Sequence, residues 1–124
     1  VDAPPGTSCP VVESVRDADV VLLVTEPTPF GLNDLALAAD MVAVLGVPAA
    51  VVINRADIGD RQVKEFCQSR ELPVLIEIPF SRGIAEAYSR GEALVEAFPA
   101  YRPRFVELGR SLGELAAPKT GERP

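Results

Sequence analysis

The sequence predicts an α/β fold, a parallel sheet carrying helices on both faces. Short β-branched runs recur at Val20-Val21-Leu22-Leu23-Val24, Ala50-Val51-Val52-Ile53 and Val74-Leu75-Ile76-Glu77-Ile78. Each is nearly continuous in apolar residues, the pattern of strands covered on both sides. Helical stripes separate them, and strand, helix, strand, helix, strand within about 60 residues implies right-handed crossovers and parallel pairing.

The elements follow in order. Asp2-Ala3-Pro4-Pro5-Gly6-Thr7 reads as a loop leaving the carboxyl end of a strand, with Val1 as that strand's remnant. Cys9 begins a helix. After the first apolar run, Leu32, Leu35, Ala39, Val42 and Leu45 recur at three- and four-residue spacing, one face of an amphipathic helix. Gly46 and Pro48 stop it. Val63, Phe66 and Cys67 share a second helical face, which Pro73 ends. Ser81 caps a short helix through Tyr88, closed at Gly91, and Tyr101, Phe105, Leu108, Leu112 and Leu115 mark a last helix laid on the sheet. Residues 1–116 are expected to form one domain. Residues 117–124, with two prolines, a glycine and three charges, are expected to be a disordered tail.

Composition narrows the function classes. A chain of 124 residues fits one core. A net charge of −6 argues against nucleic acid and anionic membrane, which repel an acidic protein. Arg102, Arg104 and Arg110 read as a solvated helix face. Two cysteines, Cys9 and Cys67, are too few for a disulfide scaffold or a self-contained metal site, and fit a reducing cytoplasm. No apolar run approaches the roughly 20 residues of a membrane span. Without an initiator Met or a secretory signal, the sequence reads as a piece of something longer.

Open parallel sheets take ligands at the carboxyl ends of their strands. Those ends are Asp2, Thr25-Glu26-Pro27, Asn54-Arg55 and Pro79-Phe80, all polar or proline-rich. Locally, Asp2 is either a functional carboxylate or a turn aspartate bonded to nearby amides. Asn54 either offers its amide to a ligand or caps the following turn. Arg55 either stacks on a ring or lies along the surface. Phe80 either walls a pocket or belongs to the core.

In register, these segments resemble the MinD/ParA/Mrp class of P-loop ATPases. Asp2-Ala3-Pro4-Pro5-Gly6-Thr7 is similar to the family's D-x-P-P-G segment, and Val21 to Thr28 to the strand that follows it. Val52-Ile53-Asn54-Arg55 is similar to the N-R segment on the adenine side, and Ile78-Pro79-Phe80 with Ala85 to Glu92 to a later turn. Two further segments, Gly6-Thr7-Ser8-Cys9-Pro10 and Glu26-Pro27-Thr28-Pro29-Phe30-Gly31-Leu32, narrow the likeness within the class. They resemble the MinD-like ATPases with an inserted ferredoxin domain, often labelled cobyrinic acid a,c-diamide synthase or CobQ/CobB-like. The resemblance runs from Val1 to about Leu115.

The resemblance implies a partial P-loop, Rossmann-like fold lacking its phosphate-loop half. No G-x-x-x-x-G-K-[ST] motif occurs, and the only lysines are Lys64 and Lys119. Asp2 is then the catalytic carboxylate, holding Mg²⁺ through water or orienting the attacking water. Pro5 and Gly6 belong to a switch beside the γ-phosphate, and Asn54, Arg55, Pro79 and Phe80 to the adenine side. ATP and Mg²⁺ are the parent's ligands, and a [4Fe-4S] cluster would belong to its insert. None is expected on this chain, which should bind adenine nucleotide weakly. The expected partners are the N-terminal half and, through the exposed edge at Val20–Val24, a second copy.

Glu26 and Asp34, which flank the Thr28-Pro29-Phe30-Gly31 loop, read as surface acids. Cys67 reads as core and Cys9 as a packed or reactive thiol. Two other functions stay open: the ATP-dependent ligase half of a cobyrinic acid a,c-diamide synthase-like enzyme, and a non-catalytic protein-interaction module. Glutaminase chemistry pairing Cys with His does not reside in a chain without histidine.

Overall fold

The computed structural model describes residues 1–117. Helix α1 (Cys9–Val15) is followed by β1 (Val21–Thr25), α2 (Pro29–Leu45), β2 (Ala49–Asn54), α3 (Gln62–Ser69) and β3 (Val74–Ile78). Helices α4 (Arg82–Ser89), α5 (Leu94–Ala97) and α6 (Tyr101–Ala116) complete the order. The three strands lie side by side as β1-β2-β3, all parallel. The predicted α/β architecture is therefore present, with helices on both faces.

Alternation along the strands divides the core. Val21 and Leu23 of β1 and Val51 and Ile53 of β2 face α2 and α3, where Leu35, Ala39, Val42, Val63 and Cys67 meet them. On the other face Val52 and Ile76 pack against Leu108, with Phe105 and Leu112 of α6 beside them. The larger cluster lies under α2 and α3. Val51 pairs with Val74 but Val52 with Ile76, so Leu75 is an extra residue in β3. Such a bulge bends the strand and shifts its alternation. Glu77 consequently meets Lys64 of α3 at 2.8 Å.

Local signals explain the helix ends. The Thr28 side chain accepts the Gly31 N–H at 3.0 Å and Pro29 occupies the first turn, so α2 starts before its apolar stripe. This corrects the expectation of a loop over Thr28–Gly31. Gly46, at φ 71°, ends α2 in the left-handed conformation, and the Val47 N–H returns to the Val42 carbonyl at 3.3 Å. Ser81 caps α4 as expected, accepting from the Ile84 N–H.

One expectation fails, and one helix is unforeseen. Val1 is exposed coil rather than the remnant of a strand, since β1 is an edge whose outer side holds no partner strand among the described residues. Helix α5, a single turn, has no periodic signal to predict it. Helix α6 ends at Ala116, and the tail expected over 117–124 lies outside the described residues beyond Ala117.

Candidate functional site

The carboxyl ends of the strands are drawn together by the loop between β2 and α3. Its first rung continues the sheet, for the Ala56 N–H donates to the Ile78 carbonyl at 2.9 Å. Next, the Asp57 carboxylate accepts the N–H of Phe80. Gly59, at φ 81°, then runs so close to the β1–α2 loop that a Cβ would lie 1.8 Å from the Pro27 carbonyl oxygen. Only glycine satisfies both the positive φ and that approach. Segments after all three strands thus form one cluster.

Arg55 sits at its centre. It adopts φ 52°, a conformation seldom taken by residues with side chains. Asn54 Oδ1 accepts the Arg55 N–H at 3.0 Å, and the Arg55 guanidinium lies 4.9 Å above the Phe80 ring. A cation over an aromatic face at this range is attracted by the ring quadrupole. Phe80 is 48% exposed, so it is not a core residue, and Pro79 beside it is also exposed.

Asn54 serves a second surface. An open, largely apolar groove of about 360 Å³ runs along the α6 side of the sheet, lined by Leu22, Val24, Val52, Asn54, Ile78 and Phe105 among others. Val24, in edge strand β1, is 67% exposed at its margin.

Asp2, Pro5 and Gly6 lie in the coil before α1, all exposed, with Gly6 at φ 96°. Their described link to the body of the protein is Ala3, which packs against the larger core cluster. The structure brings Asn54, Arg55 and Phe80 together, while Asp2 lies in exposed coil before α1. Sequence reading missed Asp57 and Gly59. The turn-rich string Asp57-Ile58-Gly59-Asp60 marks a loop, but nothing local says which carbonyl or amide it will meet.

No group of three or more His, Cys, Asp or Glu residues is gathered among the described residues. Cys9 is exposed and Cys67 buried, and burial pushes the Cys67 thiol pKa up. Glu26 is half-buried and Asp34 exposed in the first part of α2. Arg110 pairs with Glu107 and Glu114 along α6, as a solvated face would. No described helix is long and apolar enough to cross a membrane.

The crystal structure of the cell division ATPase MinD from Pyrococcus furiosus superimposes on 92% of this chain with a TM-score of 0.70 and 26% sequence identity. The fold is MinD-like. The chain spans half of that MinD chain. Two uncharacterized proteins of Methanocaldococcus jannaschii are also similar. One is 36% identical over 96 residues, 77% of this chain and 32% of the relative. The other is 33% identical over 55 residues, 44% of this chain and 20% of the relative. This MinD-like domain thus spans a third or less of the length of these curated relatives. No protein-family model matches the sequence.

Proposed function

We propose that residues 1–116 supply the base side and the switch segment of a MinD-type ATP site, with the phosphate-binding loop coming from polypeptide outside these 124 residues. The observation that carries this reading is the loop cluster. In a MinD-like sheet, Asn54, Arg55 and Phe80 converge at the carboxyl ends of adjacent parallel strands, where such folds take nucleotides.

Each residue has a role that its chemistry supports. With Asn54 Oδ1 already accepting from Arg55, the amide nitrogen keeps donors for an acceptor on a base edge. The Arg55–Phe80 stack offers a cationic, planar surface to a base. Mg²⁺ retains most of its water and accepts few protein ligands, so a single carboxylate such as Asp2 suits it. Asp2 in the switch would then orient the attacking water, and Gly6 would give its backbone room beside the γ-phosphate. Two cysteines, one exposed and one buried, do not fit an iron–sulfur cluster, which takes four thiolates. A cluster therefore enters this reading only as part of an insert elsewhere.

The open groove and the exposed Val24 favour a protein partner at the β1 edge. We assign it to the remainder of a MinD-sized fold, because the chain matches half of that structure. A pure interaction module is the second reading, and the same groove is what favours it.

Titration of the chain with adenosine, followed through backbone amide shifts, tests the assignment. Saturating shifts are expected at residues 54–59 and at Phe80 and Ser81, with a dissociation constant on the order of millimolar. Shifts confined to the groove, or none, would leave the interaction module as the better reading.

A further inference from the structure

We propose that Asp57 is a positioning residue for the nucleotide base, holding Phe80 beneath Arg55 so that the guanidinium is presented flat to a planar ring. This rests on the nucleotide reading of the loop cluster given above.

Arg55 and Phe80 belong to different loops, and nothing in either loop's own sequence would keep them stacked. The Ala56 rung sets the depth of the β2–α3 loop against β3 but leaves the chain beyond Ile78 free to swing. Asp57 removes that freedom. Its carboxylate accepts the Phe80 N–H, which lies two residues past the last strand residue of β3. The contact therefore fixes the backbone that carries the ring. On the other side, Gly59 against the Pro27 carbonyl fixes the loop that carries Asp57.

Arg55 is held from both directions. Its unusual φ of 52° is fixed by the Asn54 side chain, and its guanidinium rests 4.9 Å from the Phe80 centroid. Arg55 is exposed. An exposed guanidinium held over an aromatic ring is suited to receive a heteroaromatic ring. Asp57 itself donates nothing to the base. It acts through Phe80 and Arg55.

Charge and geometry are separable here. Asp57→Asn removes the charge but keeps an oxygen able to accept the Phe80 N–H, whereas Asp57→Ala removes both. Asp57 is exposed, so neither variant opens the core. Adenosine, which carries no phosphate, serves as the probe. The readouts are the Phe80 amide shift, the ring-current shift of the Arg55 side chain and the adenosine dissociation constant.

Asp57→Ala should abolish the ring-current shift and weaken adenosine about five-fold, the size of one hydrogen bond's worth of ordering. Asp57→Asn should preserve most of both. Equal behaviour of the two variants, or an Asp57→Ala chain with its ring-current shift and affinity intact, would overturn the proposal. If the wild-type loops ignore adenosine while Asp57→Ala still frees Arg55, the nucleotide reading itself falls, and the base-positioning role with it.

Discussion

Arg104 reaches from α6 to the backbone carbonyl of Glu77, 2.8 Å away, and closes the outer edge of β3. The neighbouring Ile78 carbonyl points inward to the Ala56 N–H, so by the alternation of a parallel strand the Glu77 carbonyl faces out. An arginine there blocks further strand pairing. The β1 edge has no described counterpart, and Val24 stands exposed beside the groove.

That asymmetry predicts association at β1. With the rest of a MinD-sized fold absent, the isolated chain should self-associate through this edge, and Val24→Lys should weaken the association at least several-fold by placing a charge in the contact. Sedimentation velocity across a concentration series checks it. A wild-type chain that stays monomeric at high concentration would contradict the prediction.

Gly59→Ala should destabilise the protein by about 2 kcal/mol, through the strain of a positive φ and the collision with Pro27. Ile53→Ala, at a fully buried site in β2, should cost about 3 kcal/mol. The two differ in where they act. Urea unfolding should register both losses, while only Gly59→Ala should shift the amides of Glu26, Thr28, Phe80 and Ser81 before unfolding begins.

The strands are legible in the sequence because β-branched runs flanked by Gly and Pro have few alternative uses. Cys67 and the Ser81 cap are legible for equally local reasons, helical spacing and an N-cap residue. The start of α2 is written in Thr28-Pro29, but Gly31 and the two prolines read as loop and mask it. Leu75 as a bulge is not legible, since a run of apolar residues carries no register. Phe80 looks like core by residue type, yet its exposure depends on where Asp57 holds the chain. That contact joins loops distant in sequence, and local pattern cannot supply it.

Cys67 predicts a pH dependence. Burial raises its thiol pKa in the folded protein, so the unfolded chain ionises first as pH rises. The contribution is fully present below the unfolded thiol pKa, about 8.5, and is lost as pH rises from there through the folded value. Stability should therefore fall in alkaline solution, and less so in Cys67→Ala. Thiol labelling gives an independent check: exposed Cys9 should react at once, and Cys67 only at the rate of opening. Equal labelling rates would contradict the buried placement of Cys67.

The most direct test of the account is ATP turnover with and without a phosphate-binding loop. A triphosphate is normally surrounded by backbone N–H groups and a lysine, and these 124 residues hold no such loop. The chain alone should neither hydrolyse ATP measurably nor gain much thermal stability from Mg-ATP. Joined to a MinD-type phosphate loop it should do both. Asp2→Ala should then lower turnover more than binding, and Asn54→Ala should weaken the preference for adenine nucleotides. Robust turnover by the 124-residue chain itself, abolished by Asp2→Ala, would contradict the division of the site on which this account rests.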